Sequence, residues 1–218
     1  MGLRELFVSR PDAAQVVLKR GEKLWRAGDQ AADAFWVEYG LVLVRRRVSR
    51  DRVVSAAGAG SLVGFRYLKD PPLRRDDDAE AAAPTAVWRM DALDLRRQAD
   101  SDPGLLRELL GIREAAVARL ETDLAYAGET LKTRLLRALA VLAEELPSAG
   151  GVVTAPLAHG DLAGMAGATR ESTCIAMSEL AAGGLLAQQR CRVVFVPETV
   201  QGGLQRRMQE GEGVDDGR

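Results

Sequence analysis

The 218-residue chain has few of the side chains that build disulfide frameworks and metal centres. It contains two cysteines, Cys174 and Cys191, and one histidine, His159. Two cysteines in a chain of this length suggest a reducing compartment, where they serve as buried small apolar side chains or, alternatively, as a redox switch. One chain cannot supply the four thiolates of an iron–sulfur cluster, and one histidine disfavours haem. We therefore expect no metal and no cofactor.

Long apolar runs and aromatic residues are also scarce. No stretch approaches the roughly 20 apolar residues that a membrane span requires. The segment 1–12 lacks the apolar core of a signal peptide. Aromatics make up 5% of the chain, so leucine, valine and alanine must supply most of the core. These features predict a soluble, cytoplasmic protein with no membrane partner.

Neither sign of charge is in excess, because the chain has 30 basic and 31 acidic residues. A basic excess is common in DNA-binding proteins, so the overall charge does not indicate that class. The charges are nevertheless clustered: arginines crowd residues 45–52, and aspartates occupy 76–78. The aspartates follow Pro71 and Pro72 and are predicted to form a solvated loop.

Enzyme signatures are missing as well. His159 and Asp161 alone form neither a catalytic triad nor a metal site. The glycines between Gly58 and Gly64 do not form a dinucleotide fingerprint, because no helical pattern follows them. A hydrolase or a nucleotide-dependent enzyme therefore has no supporting set of residues in this sequence.

The first part of the chain, to about Leu95, consists of short β-prone runs separated by glycine-rich turns. Such spacing is typical of a sandwich or jelly roll, although another α+β topology fits the pattern too. The runs lie at 35–39, 41–44, 53–54 and 86–90.

A helical pattern begins at Asp102 and Pro103, a good N-cap and first-turn pair, and continues to Gly128. Its apolar residues alternate at spacings of three and four, which predicts either a dimer seam or packing against its own domain. A second helix is predicted at 130–146, and the chain after Gln201 is expected to be disordered. The seam comprises Leu106, Leu110, Val117, Leu120, Leu124, Ala127 and Leu131.

The segment 157–196 has the order of a winged helix-turn-helix. A short apolar helix face ends at Gly167, which suits the tight turn between two helices. Thr169 can cap the next helix, and two β-prone runs after Gly184 predict a wing.

The start of the second helix carries the chemistry of base recognition. Its N-terminal residues enter the major groove in this motif. The fork of Arg170 matches guanine O6 and N7, and Glu171 can accept from a cytosine amino group. Thr169 and Ser172 can hold phosphates, which positions the helix without reading sequence. A capped surface helix is the alternative interpretation of this tetrapeptide.

This segment resembles the DNA-binding domain of the CRP/FNR (catabolite activator / fumarate-nitrate regulator) family. The glycines from Gly21 to Gly64 resemble that family's cyclic-nucleotide-binding-like jelly roll. The resemblance implies an α+β chain with a jelly roll at 1–100, a dimerisation helix at 101–129, a winged helix-turn-helix at 130–200 and a polar tail at 201–218. The matching positions are Leu157, Leu162, Ala163, Gly167, Arg170, Glu171, Met177, Leu180, Gly184, Leu185 and Leu186.

The resemblance also implies a homodimer on near-palindromic, double-stranded promoter DNA, with Arg170 and Glu171 as base readers and RNA polymerase as a partner. Activation is the usual role in the family, but the residues do not separate an activator from a repressor. Two positions depart from the family pattern, Ile175 for a basic residue and Ala158 for a threonine cap. The residues expected at or near phosphate are Thr169, Ser172, Thr173, Cys174, His159, Gly160, Gln189 and Arg190.

The effector pocket of the family is altered in this chain. Phe65 follows Gly64 where the family has glutamate for the ribose. Asp76 follows Arg75 and would place a carboxylate against a bound phosphate, which is unfavourable. We expect Gly64, Phe65, Arg75 and Asp76 to be a remnant of the pocket, and DNA binding to need no cyclic nucleotide. A regulator that depends on another ligand, or a sensor and interaction module with weak DNA binding, remains the alternative.

Overall fold

Eight strands preceded by a short helix build the N-terminal part of the computed structural model, which describes residues 2–47, 51–65, 74–189 and 192–212. The chain forms two compact units that divide near Glu121. The first unit contains α1 (Leu3–Val8), β1 (Ala14–Leu18), β2 (Lys23–Trp25), β3 (Asp33–Tyr39), β4 (Val42–Arg47), most of β5 (Asp51–Ala57), β6 (Leu62–Val63), β7 (Asp78–Ala81), β8 (Thr85–Asp91), α2 (Ala92–Ser101) and most of α3 (Pro103–Ala125).

The strands of the first unit form two four-stranded sheets. Their orders are β1-β8-β3-β6 and β2-β7-β4-β5. In the first sheet β3 runs antiparallel to β8, with Trp36 opposite Trp88. A cluster of buried apolar side chains from both sheets, including Phe35, Val42 and Val87, forms the core. The predicted jelly-roll-like architecture is confirmed.

Two helices of the first unit were not predicted, because the β-prone pattern was extended to Leu95. Phe7 of α1 and Leu95 of α2 are fully buried in a second apolar cluster. The start of α2 is fixed by Asp91, whose carboxylate accepts from Leu93 N at 2.8 Å and Asp94 N at 3.0 Å. Such a cap satisfies backbone donors that have no partner within the helix.

The long helix α3 starts where the sequence predicts. Asp102 Oδ1 accepts from Gly104 N at 2.8 Å and from Leu105 N at 3.3 Å. The helix ends at Ala125 and a 3₁₀ turn, Tyr126–Gly128, follows. Two residues of the predicted seam therefore lie off α3, since Ala127 belongs to this turn and Leu131 opens the next helix. Whether these two residues belong to a dimer seam stays a prediction.

Helix α3 carries two apolar rows with different surroundings. Leu105 and Leu109 are buried in the cluster that α1 and α2 share. The predicted seam residues on α3 are instead exposed, from 43% for Leu106 to 75% for Leu124. One row thus packs against the rest of the first unit, as one interpretation of the pattern predicts. The other row is exposed, as a dimer seam requires in the single chain.

The second unit is built around α4 (Leu131–Glu145), which begins at the predicted cap Thr130, whose Oγ1 accepts from Thr133 N at 3.3 Å. A four-stranded sheet has the order β11-β12-β10-β9. The other elements of this unit are β9 (Ser148–Ala149), β10 (Val152–Ala155), α5 (His159–Ala166), α6 (Arg170–Ala182), β11 (Ala187–Gln189), β12 (Arg192–Phe195) and α7 (Pro197–Glu212).

Helix α7 corrects the prediction of a disordered polar tail from residue 201. Pro197 occupies the first helical position, where its missing N–H costs nothing. Val200 is fully buried, and Gly203 lies so close to its neighbours that a Cβ there would meet Leu185 Cδ2 at 3.1 Å. Small and apolar residues at helical spacing thus anchor a segment whose composition is polar. The last part of the predicted tail, 213–218, lies outside the described residues.

Among the described residues, no helix is long and apolar enough to cross a membrane.

Candidate nucleic-acid interface

The turn between α5 and α6 has the geometry of a helix-turn-helix. Helix α5 ends at Gly167, whose φ of 66° and ψ of 41° lie in the left-handed region that glycine adopts without a steric penalty. Ala168 N donates to Ala163 O at 2.9 Å and closes the turn. Thr169 then caps α6, its Oγ1 accepting from Ser172 N at 3.2 Å. The predicted turn and cap are confirmed.

Helix α6 has one buried and one exposed side. Thr173, Ala176, Met177 and Leu180 are buried and hold the helix against its own unit. Arg170, Glu171, Ser172 and Ile175 are exposed. The two predicted base readers are therefore exposed to solvent at the start of a helix whose other side is buried.

The carboxylate of Glu171 is held in its ionised form. Its own backbone N–H, the hydroxyl of Thr169 and the charge of Arg170 lower the pKa of Glu171 below its usual range. The group lies in the first turn of α6, where the helix dipole also favours negative charge. At neutral pH this side chain is an acceptor, as a contact with a cytosine amino group requires.

Three polar side chains link α5, α6 and β11. His159 Nδ1 lies 2.9 Å from Cys174 Sγ, and His159 Nε2 lies 2.7 Å from Gln188 Oε1. Because the amide oxygen only accepts, Nε2 carries the proton and Nδ1 accepts from the thiol when the ring is neutral. His159 and Cys174 are half-buried and engaged with each other. Nothing in the sequence indicated Gln188 as their partner.

The other residues predicted at or near phosphate have different surroundings. Gly160 and Gln189 are exposed, while Arg190 and Cys191 lie outside the described residues. Thr173 has no exposed surface. Its hydroxyl is therefore not available to a phosphate, and its place near the DNA backbone stays a prediction.

The start of α5 lacks the threonine cap that the family pattern expects. Ala158 occupies the cap position, and Asp161 Oδ2 accepts from Ala158 N at 2.7 Å instead. The reciprocal half of a capping box is thus present without the cap side chain. The departure at Ala158 is compensated within the same turn.

The predicted remnant of an effector pocket lies in the first unit and is filled by the chain itself. Arg75 is 3% exposed. Its Nη1 donates to Gly64 O at 3.0 Å, and its Nη2 donates to Asp33 O. The guanidinium carbon lies 4.3 Å from the centroid of the Trp25 ring. The donors expected to meet a phosphate therefore face backbone carbonyls.

Gly64 and Phe65 fit this arrangement. Gly64 has a φ of 81°, and a Cβ at this position would lie 3.0 Å from Arg75 Nη1. Phe65 is half-buried, with the guanidinium of Arg113 placed 5.9 Å from its ring centroid. Glycine is thus required for the close approach of the arginine, and no carboxylate follows it.

The aspartates at 76–78 do not form a solvated loop, so that prediction is wrong. Asp77 is 1% exposed and accepts from Trp25 Nε1 at 2.9 Å. Asp78 opens β7 and pairs with Lys23 Nζ at 2.6 Å. Asp76 is the most exposed of the three and pairs with Arg46. Neighbouring strands supply the partners, which the order of residues alone does not reveal.

Within the described residues, no group of three histidine, cysteine or acidic side chains is placed to hold a metal ion.

The chain is similar to known proteins in its helix-turn-helix domain and in its fold. The model of the Crp-like helix-turn-helix domain matches residues 133–198. Among solved structures, that of FixK2 from Bradyrhizobium japonicum superposes on this chain with a TM-score of 0.75 and shares 20% sequence identity with it. The match covers 87% of this chain and 96% of FixK2. The regulator TTHB099 of the CRP family from Thermus thermophilus is similar at 19% identity and a TM-score of 0.72, over 87% and 96%.

A third structure, the CRP/FNR-family regulator TTHA1359 from the same organism, shares 22% identity and a TM-score of 0.68, over 89% of this chain and 100% of that one. Among curated proteins, no sequence matches this chain. At these identities the structures show a common fold, and the matched domain shows the helix-turn-helix. The chain therefore carries a Crp-like helix-turn-helix domain, and it shares its fold with solved structures of regulators of the CRP and CRP/FNR families.

Proposed function

We propose that the protein acts in the cytoplasm as a homodimer on a near-palindromic promoter site, binds without a cyclic nucleotide, and activates transcription through contact with RNA polymerase. The Crp-like helix-turn-helix domain at 133–198 supports a role as a regulator rather than as an enzyme.

The observation that carries base reading is the exposure of Arg170 and Glu171 at the capped start of α6. The N-terminal residues of a recognition helix point at base edges. Arginine bonds guanine O6 and N7 with two parallel hydrogen bonds, and an ionised glutamate accepts from cytosine N4. We expect the pair to read G·C in each half-site.

Positioning on the backbone falls to neighbouring groups. Thr169 and Ser172 are exposed beside the first turn of α6, and Gly160 and Gln189 are exposed at α5 and the wing. Contacts of this kind set register and carry no sequence information. We leave Thr173 out of this set because it is buried.

The dimer proposal uses the exposed row on α3. Leu106, Leu110 and Leu120 are 43%, 58% and 58% exposed. Val117 and Leu124 extend the row along the same helix. A second copy of α3 would cover these side chains and create a two-fold axis. Two recognition helices related by such an axis meet half-sites about 34 Å apart, one turn of DNA.

Independence from a cyclic nucleotide is supported by Arg75. Its two Nη groups donate to Gly64 O and Asp33 O, so a phosphate would have to displace contacts already made within the chain. The neighbouring Asp76 adds negative charge where a phosphate would lie, and Phe65 offers no carboxylate for a ribose.

The test is selection from a randomised duplex pool by the purified, ligand-free protein. We expect enrichment of a palindromic motif with a G·C pair at matching positions of both halves. Arg170→Ala should abolish the enrichment, whereas Arg206→Ala, the same charge change at an exposed position of α7, should preserve it. Enrichment that requires added cyclic nucleotide would overturn effector independence. Failure under every condition would overturn DNA reading and favour an interaction module.

A further inference from the structure

Ile175 is an apolar side chain in an unusual place. It is 64% exposed, on the helix whose first turn holds the proposed base readers. Within α6 it is the one large apolar residue that is exposed, whereas Met177 and Leu180 are buried. Exposing a β-branched residue gains nothing for the fold of the free chain. A role for this side chain is therefore to be expected in the DNA complex rather than in the fold.

The pitch of the helix places Ile175 away from the buried side of α6, at an open groove that Leu131 and Arg207 also line. Successive residues of an α-helix are about 100° apart. Thr173, Ala176 and Leu180 are buried and mark the inner side of α6. Glu171 and Ile175 are one turn apart on the opposite side, together with the exposed Ser178. Ile175 thus continues the surface that begins with Glu171.

We propose that Ile175 contacts the C5-methyl group of a thymine in each half-site and makes the protein selective for A·T or T·A at that base pair. This inference rests on the proposed DNA binding through α6. In the major groove the thymine methyl is the apolar feature, and apolar side chains pack on it. Arginine at this position would seek guanine instead, so isoleucine changes the base that this turn can favour.

The helix geometry limits where the thymine lies. Ile175 is four residues from Glu171, which is about 6 Å along the helix axis. Base pairs are stacked about 3.4 Å apart. The thymine therefore lies within about two base pairs of the pair that Glu171 reads, and the selected motif should show a fixed A·T or T·A pair there.

The test uses deoxyuridine, which pairs like thymidine but lacks the methyl group. Duplexes of the selected motif carry this replacement at one thymine of each half-site in turn. Their affinities for wild-type protein and for Ile175→Ala are measured by fluorescence anisotropy. Burying one methyl contributes about 0.8 kcal/mol, close to a fourfold change in affinity. We expect about that loss per half-site for wild-type protein at one position, and no loss there for Ile175→Ala.

Ser178→Ala is the matched control, since Ser178 lies on the same side one turn further on. This variant should keep the full sensitivity to deoxyuridine. If wild-type protein bound the motif but tolerated deoxyuridine at every thymine, the inference would be overturned and the proposed function would stand. An equal methyl effect in wild-type protein and Ile175→Ala would assign the contact to another residue and overturn it too. If no duplex were bound, both proposals would fail together.

Discussion

The guanidinium of Arg75 lies 4.3 Å from the centroid of the Trp25 ring, and both side chains are buried. The same guanidinium donates to the carbonyls of Gly64 and Asp33, and the indole N–H of Trp25 donates to Asp77. A cation–π contact in a desolvated site is worth about 2 kcal/mol. One arginine therefore joins the end of β6, the start of β3 and the ring on β2.

Replacing Arg75 by alanine should destabilise the first unit. Two buried carbonyls would lose a charged donor, and each such hydrogen bond is worth about 1.5–3 kcal/mol. We expect a loss of roughly 3 kcal/mol or more in the free energy of unfolding. Urea titration followed by tryptophan fluorescence measures it well, because all three tryptophans, Trp25, Trp36 and Trp88, belong to this unit.

Arg74→Ala is the control for this prediction. Arg74 is exposed and its guanidinium donates to Gly28 O at 2.6 Å. Its loss should change the free energy of unfolding by less than about 1 kcal/mol. Equal effects of the two variants would show that Arg75 does not anchor the filled pocket.

The ion pair of Asp78 predicts a pH dependence of stability. Hydrogen bonds from Lys23 Nζ and from Ala27 N lower the pKa of Asp78 below its usual range near 4. Because the folded state binds the proton more weakly, the stabilisation is present above the unfolded pKa and lost as pH falls through the folded value. Asp78→Asn should therefore be less stable than wild-type protein at pH 7, with a difference that shrinks below about pH 4.

Asp100→Asn serves as the matched variant, because Asp100 is 68% exposed on α2. Its stability should follow that of wild-type protein across the same pH series. A constant difference between Asp78→Asn and wild-type protein from pH 7 to pH 3 would contradict the assignment of this linkage to Asp78.

A charge in the exposed row of α3 should separate the dimer. Leu124 is 75% exposed, so Leu124→Glu costs little in the folded monomer but would bury a charge at a dimer interface. Sedimentation equilibrium should show a dimer for wild-type protein and a monomer for the variant. Leu93→Glu, on α2 and 46% exposed, should leave the dimer intact. A wild-type monomer at micromolar concentration would contradict the dimer proposal.

Two adjacent glycines of α7 should respond differently to replacement by alanine. A Cβ at Gly202 meets nothing within 4 Å, so Gly202→Ala should stabilise the helix by about 0.5–1 kcal/mol. A Cβ at Gly203 would lie 3.1 Å and 3.3 Å from the two methyls of Leu185. Gly203→Ala must displace that side chain, so its gain should be cancelled or reversed. Hydrogen exchange of the amides in α4 and α7 would measure both, and identical responses would contradict the packing of α7.

The sequence predicts the elements whose signals are local. Asp102 with Pro103, Thr130, Gly167 and Thr169 mark the helix boundaries at which caps and a left-handed turn are found. Their chemistry acts within three or four residues, so it can be read from the order of residues. The winged helix-turn-helix was predictable for the same reason.

Features that depend on partners distant in the chain were missed. The run at 76–78 is polar by composition, yet Asp77 is buried because Trp25, 52 residues away, donates to it. The partner of His159 on the wing, Gln188, is 29 residues distant. Helix α7 looked like a tail because its anchors, Val200 and Gly203, are few among polar residues. Thr173 looked accessible until the inner side of α6 was known.

The central claim is that Arg170 reads a guanine in each half-site of the ligand-free dimer. The direct measurement replaces that guanine with 7-deazaguanine, which lacks the N7 acceptor, and compares the affinities of wild-type protein and Arg170→Ala at one salt concentration. Losing half of a bidentate contact should cost about 1 kcal/mol, close to a fivefold loss per half-site for wild-type protein. The account predicts this loss for wild-type protein and none for Arg170→Ala. An equal loss in both proteins, or no loss in wild-type protein at any guanine of the site, would contradict it.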